Sequence, residues 1–291
     1  MLERPLTWRP DPHVTTVALP QGATDCHCHV FGPVARFPFP ETSSYRPADA
    51  PKEALFALHD QMGISRCVIV QSAVHGHDNS VVEDAMQARP GRYLGIALAA
   101  PDADDATLDR LAGQGFRGVR FNYMAHLAPG ASEKQLRALA PRLAGRGMHL
   151  QVHMEAGLIE ALSPVLSTLP VTVVIDHIGR VDASQGLDQA PFQALLRLLD
   201  HPHLWCKVSG CERASRLDPP YGDAVPFARA LVERFGDRVV WGTDWPHPNY
   251  RADPPDDGDL FDLLPQIAPS AEALQALMVD NPTKLYRFEE I

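Results

Sequence analysis

Eight short runs of apolar and β-branched residues recur along the chain, separated by stretches whose apolar positions return every three to four residues. The runs are ATDCHCH near position 23, RCVIVQS near 66, RYLGIAL near 92, RGVRFN near 117, MHLQVH near 148, VTVVIDH near 171, HLWCKVS near 203 and RVVWGTD near 238. Between them APKEALFALHDQMG, SEKQLRALAPRLAGRG, APFQALLRLLD and AVPFARALVERFGD carry the helical period, and SAEALQALMVDN adds a last helix. Near-continuous apolar strands are what a parallel sheet covered on both faces requires. Strands alternating with crossover helices predict an α/β fold, a (β/α)8 TIM barrel forming a single domain over residues 23–291, with residues 1–22 as an N-terminal arm. The rival is an open doubly wound sheet. An open sheet gathers its chemistry at one switch point, whereas here polar, reactive residues end strands all along the chain, which favours the closed barrel.

Two long loops break the rhythm, VFGPVARFPFPETSSYRPAD after the first run and PHPNYRADPPDDGD after the eighth. Both follow strand C-termini, so both should overhang the same mouth as walls of a binding site.

Composition narrows the partners. With 45% hydrophobic and 21% charged residues in 291, the chain can bury a large core. A net charge of −10 and the lack of any Lys/Arg run exclude a phosphate-binding footprint, so nucleic acid is not expected and small molecules are. No continuous apolar stretch suggests a membrane span or a signal peptide, and five scattered cysteines, Cys26, Cys28, Cys67, Cys206 and Cys211, read as thiols of a reducing compartment, the cytoplasm. A monomer or small homo-oligomer is expected.

His27 and His29 stand two apart at a strand end, so alternation sends both imidazoles into the barrel and Cys26 and Cys28 to the other face. His177 ends the run VVIDH and Asp244 ends VVWGTD; together they place three imidazoles and one carboxylate on one rim. Any one alone could be a strand-ending residue bonded to backbone. Arg120, in GVRFNY, is an arginine inside a barrel, with Asn122 on its face; it awaits either a substrate carboxylate or an interior acid. Arg213 and Arg216, in KVSGCERASR, offer a second clamp, Arg213 being preferred. Tyr45, Ser72 and His75 are further wall candidates, whereas Trp245 and Phe31 read as packing that keeps the mouth dry.

The HxH of the first run, the later DHxG and the terminal WGTDWPHP resemble the amidohydrolase superfamily. SYRPADAPKEALFALHDQMG, VIVQSAVHGHDN, RFNY, PDDG and NPTKLY extend the likeness across nearly the whole chain to its lactonase branch, the 2-pyrone-4,6-dicarboxylate lactonases and their relatives. The resemblance implies a hydrolase opening a small anionic lactone, with Asp244 as general base, tuned to take a proton near neutral pH, and His27, His29 and His177 polarising the carbonyl. Binuclear members carry a modified lysine on the fourth strand. Counting QVHMEA as that strand, no lysine stands there, which leaves one divalent metal, Zn²⁺ or Mn²⁺, on His27, His29, His177 and Asp244, or none. His153, on the same run, departs from the tyrosine these lactonases tend to carry, and either contacts substrate, joins the metal or bonds a neighbour. The alternatives are a muconolactone or sugar-acid lactone specificity, a metal-dependent non-oxidative decarboxylase of the same superfamily, and a noncatalytic carboxylate-binding barrel.

Overall fold

A computed structural model of the chain describes residues 5–43, 45–127, 130–250 and 253–289; positions 1–4 of the expected arm, 44 in the first long loop, 251 and 252 in the second and the last two residues of the barrel lie outside them. Eight parallel strands follow one another in sequence order: β1 Thr24–Cys28, β2 Arg66–Val70, β3 Tyr93–Ala97, β4 Phe116–Tyr123, β5 His149–Met154, β6 Val173–Ile175, β7 Leu204–Lys207 and β8 Val239–Val240. The ring closes by backbone bonds from Cys26 N to Trp241 O at 2.9 Å, Asp244 N to His27 O at 2.7 Å and His29 N to Trp245 O at 2.7 Å. It is a (β/α)8 barrel in a single domain, as the alternation of runs predicted.

Helices α1 Lys52–Met62, α2 Ser80–Ala88, α3 Asp105–Gly113, α4 Glu133–Ala144, α5 Ile159–Leu166, α6 Ala190–Leu199, α7 Cys211–Ala214 and α8 Val225–Phe235 alternate with or follow the strands. Four shorter helices end the chain: α9 Asp257–Asp262, α10 Leu264–Ile267, α11 Ala271–Gln275 and, beyond a π-turn, α12 Asn281–Tyr286. Local sequence sets their ends. At α4, Ser132 and Gln135 form a reciprocal capping box, a device worth about 1 kcal/mol; at α3, the Asp104 side chain accepts from Thr107 N.

The core has two layers, and the strands show why. In β2 all five residues are buried, with Cys67 and Ile69 in the layer shared with the helices and Val68 and Val70 in the barrel interior. That interior also holds Leu94, Ile96, Val174, Trp205, Val240, Tyr286 and Phe288. Tyr286 and Phe288 belong to the C-terminal segment, which is held to the strand starts: Arg66 reaches Thr283 Oγ1 and Glu289 O, and Arg117 donates to Tyr286 O at 2.9 Å.

Two expectations need correction. First, β1 is bulged. Asp25 pairs with Cys67 and Cys28 with Ile69, so three steps of β1 match two of β2. Strict alternation therefore fails: Cys26 packs in the interior cluster and only Cys28 in the outer layer, while His27 and His29 both still face inward. A bulge shifts side-chain parity by one residue, and no polar pattern announces it. Second, QVHMEA belongs to β5, not the fourth strand, because RYLGIAL forms β3 and RGVRFN β4. Arg120 and Asn122 thus lie on β4, His153 on β5, and His177 follows β6. β4 carries no lysine, so the argument from its absence survives the recount; the interior lysine is Lys207, on β7.

Candidate active site

His27 and His29 leave the end of β1, His177 follows β6 and Asp244 follows β8, so four strand ends of one barrel mouth converge. Asp244 and His177 sit at φ 62° and 50°, a left-handed conformation uncommon outside glycine and found where a site fixes a side chain. Gly242 explains how β8 comes so close: a Cβ there would lie 2.4 Å from His27 N. Asp25 stitches the seam. Its Oδ1 accepts from His27 N at 3.0 Å and Thr243 N at 3.1 Å, and its Oδ2 from Thr243 Oγ1 at 2.6 Å.

One oxygen is the focus. Asp244 Oδ1 lies 3.3 Å from His29 Nε2, 3.6 Å from His27 Nε2 and 3.7 Å from His177 Nε2. His29 Nδ1 is 2.7 Å from Val70 O, a carbonyl that only accepts, so Nδ1 carries the hydrogen and Nε2 turns a lone pair to the carboxylate. His177 Nδ1 bonds Ser209 Oγ at 3.0 Å. His27 Nε2 and Asp244 Oδ1 are buried without a hydrogen-bond partner among the described residues. Burial lowers all three imidazoles, the Lys207 charge adding to the effect at His27, so they are neutral.

The His29 lone pair facing an ionised oxygen calls for something positive between them. His27, His177 and Asp244 offer atoms all within 4.8 Å of one another, a group able to hold a metal ion. Ligands about 2.0–2.1 Å from a tetrahedral Zn²⁺ stand about 3.3 Å apart, close to the spacing seen here. His29 reaches the carboxylate but stands outside that mutual group, and so does His153, which had been a candidate for joining it.

Burial pushes the Asp244 carboxyl upward, but the Arg213 guanidinium and the imidazoles outweigh it and hold the group well below the usual carboxylate range. The expectation of a carboxylate tuned to titrate near neutrality is therefore not met in this arrangement. Arg213 Nε donates to Asp244 Oδ2, and its Nη2 donates to Pro248 O at 3.2 Å, so the expected second clamp is already engaged by the site's own acid. Arg216 is exposed and paired with Asp182 at 3.0 Å, away from the mouth.

Above the focus is a cavity of about 130 Å³, lined by His29, Tyr45, Ser72, Arg120, Asn122 and His153 among the expected residues, together with His177, Arg213 and Asp244. Both long loops contribute, through Tyr45 and through Pro248 and Asn249. Tyr45 bonds Ser72, and burial pushes its hydroxyl up to about 12. His75 is not at this wall; it packs against Phe39 and Phe31 at 4.8 and 6.2 Å, and burial lowers it to about 4. Trp245 and Phe31 are fully packed, Trp245 against Trp8 of the arm at 5.2 Å. Arg120 meets an interior acid, its Nε donating to Asp176 Oδ2 at 2.9 Å, and the residue also lines the cavity.

The chain matches the amidohydrolase family over residues 24–288. The chain belongs to the amidohydrolase family. Among its relatives, the 2-pyrone-4,6-dicarboxylate hydrolase of Comamonas testosteroni is 44% identical over 295 residues, 98% of this chain and 97% of that one. The 4-sulfomuconolactone hydrolase of Hydrogenophaga intermedia is 39% identical over 282 residues, 95% of this chain and 93% of that one. Among solved structures, a protein of Acinetobacter baumannii described as a "probable 2-pyrone-4,6-dicarboxylic acid hydrolase", with citric acid bound, superposes with a TM-score of 0.82 at 27% identity, covering 92% of this chain and 100% of that one. Within this amidohydrolase the motif residues named from sequence form one site, and three further residues escaped notice. Asp176 and Lys207 lie behind His27, whose Nδ1 is 3.4 Å from Asp176 Oδ1 and 3.3 Å from Lys207 Nζ. The signal for Lys207 was a lysine inside an apolar run. Arg180, one residue past the DHxG motif, lines the cavity without a hydrogen bond or ion pair to a described residue, and burial lowers it to about 10.

Proposed function

We propose that this amidohydrolase opens a small anionic lactone by water attack at the ring carbonyl, in the manner its relatives' names indicate. The observation that carries the reading is the convergence of three neutral imidazoles on one carboxylate oxygen beneath a cavity bearing three arginines. The lactone carbonyl is directed between the imidazoles and Arg213; His29 Nε2 presents a lone pair, so the developing oxyanion is stabilised by the Arg213 guanidinium and by a hydrogen on His27 or His177 Nε2. Asp244 takes a proton from the attacking water and returns it to the ring oxygen as that oxygen leaves, giving a hydroxy acid. Arg180, uncommitted in the free protein, and the free N–H groups of Arg120 receive substrate carboxylate. A substrate carboxylate that draws Arg213 away would also restore basicity to Asp244, since Arg213 is the main influence holding it low. One divalent ion, Zn²⁺ or Mn²⁺, fits His27, His177 and Asp244 with His29 beside them, and when bound would polarise the carbonyl and acidify water.

No described helix is long and apolar enough to cross a membrane. Five free, buried thiols support a reducing cytoplasm. Residues 9–15 serve as a strap: Thr15 and His13 bond Asp262, and Arg9 bonds Pro254 O.

The deciding assay presents carboxylated pyrone, muconolactone and sugar-acid lactones to wild type and Asp244→Asn, before and after chelation, following ring opening by absorbance and CO₂ release. Rapid opening by wild type and a loss of about 10²–10⁴-fold in Asp244→Asn is expected. Ring opening untouched by Asp244→Asn, or CO₂ as product, would sink the proposal.

A further inference from the structure

Glu212 stands one residue before Arg213 on the short helix α7, and the hydrolytic reading gives it no part. Its carboxylate is buried, and neither Oε1 nor Oε2 has a hydrogen-bond partner among the described residues. It is not among the residues lining the cavity, so it stands behind the wall, where substrate does not reach. Two groups face it. Arg213 Nε lies 3.5 Å from Oε1, and His247 Nδ1 lies 3.8 Å from the same oxygen. The imidazole is too far to bond it and leans the other way, its Nε2 standing 3.2 Å from Asp257 Oδ1. Glu212, Asp244 and His247 offer atoms all within 4.8 Å of one another, and the Arg213 guanidinium is the positive group already set between the two carboxylates.

One N–H thus has two acids within reach. In the free protein Nε donates to Asp244 Oδ2, which leaves Glu212 without a donor. A buried carboxylate without a donor is costly, so Glu212 draws on the same guanidinium that Asp244 holds. Hydrolysis needs that hold released, because an oxygen occupied by Nε is not open to water. Pulling Nε away with no acceptor nearby would strand a buried positive charge. Moving it toward Glu212 Oε1 keeps the charge paired throughout.

We propose that Glu212 is a positioning residue: it is the second seat for Arg213, to which Nε crosses from Asp244 when water and lactone enter. Asp244 meets the water, Arg213 covers or uncovers one of its oxygens, and Glu212 stabilises the uncovered arrangement. The inference rests on the lactonase reading and deepens it.

The test measures kcat and KM separately for wild type, Glu212→Gln, Arg213→Met and the double variant, on whichever carboxylated lactone of the panel wild type opens fastest, with a thermal melt of each protein. Glu212→Gln is isosteric and removes the second seat, so kcat should fall about ten- to a hundredfold while KM stays level or drops. With Arg213→Met there is no guanidinium to move, and adding Glu212→Gln should change kcat by less than about twofold. A residue that only supports the fold would lower kcat equally in both backgrounds. Glu212→Asp keeps the charge and should turn over faster than Glu212→Gln even where it melts no higher; if Glu212→Gln does not fold, the same cycle is run with Glu212→Asp. An unchanged kcat, a rise in KM alone, or an equal loss in both backgrounds overturns the inference and leaves the hydrolase intact. If wild type opens no lactone of the panel, the lactonase reading itself falls and takes this inference with it.

Discussion

Lys207 is fully buried on β7, with Nζ 2.9 Å from Cys26 O and 3.6 Å from Asp176 Oδ1. Burial lowers the lysine, and the charges of Arg120 and Lys207 overcome burial to lower Asp176, so the pair persists as ions. Removing Asp176 strands the fully buried Lys207 charge, which typically costs about 3–5 kcal/mol, whereas removing Lys207 leaves Asp176 paired with Arg120 at 2.9 Å. Asp176→Asn should therefore lose about that much in urea unfolding, and Asp176→Asn with Lys207→Met should lose less than Asp176→Asn alone. Equal loss in the single and double variants would refute the pairing. A second residue sets acid sensitivity. His149 is buried, and burial together with the Lys207 charge lowers it to about 3. The unfolded chain takes a proton at about 6.5 and the native chain only near 3, so this histidine's contribution is full above 6.5 and drains as pH falls, by about 1.4 kcal/mol per unit of pKa difference. Melting temperatures between pH 7 and 4 should fall more steeply for wild type than for His149→Gln.

Among elements, β1 and β8 decide the geometry. Gly242 lets the backbone of β8 approach His27, and a Cβ would also meet Asp25 Oδ1 at 2.8 Å. Gly242→Ala should cost about 1–3 kcal/mol of overpacking and reduce activity further than stability accounts for, because His27 and Asp244 lie on the two sides of the contact; unchanged kcat in a folded variant would contradict that. The same elements mark the limit of reading by pattern. Eight apolar runs disclosed eight strands because each strand is buried on both faces, and the imidazoles and Asp244 were legible because polar groups at strand ends are costly unless used. The β1 bulge was not, since one extra residue changes parity without changing composition. Nor was the partner of Arg213: which acid a loop arginine meets depends on where two distant segments fold, and Asp244 reached it before any substrate.

For the whole molecule, the C-terminal segment plugs the base of the barrel. Tyr286 is fully buried beside His149 at 5.6 Å, its hydroxyl without a described partner. Tyr286→Ala should lose about 3–5 kcal/mol, whereas Tyr286→Phe, which removes an unsatisfied hydroxyl, should be neutral or stabilising in the same denaturation series. The barrel's seam carries a different consequence. Asp25 and Thr243 are 218 positions apart in sequence, and they join the two strands that hold His27 and Asp244. A contact of such separation requires closing a loop of about three quarters of the chain, among the slower steps available to a folding polypeptide. No partly folded form with an open ring can hydrolyse anything, so the return of catalysis during refolding is a clock for ring completion, running later than the recovery of helix.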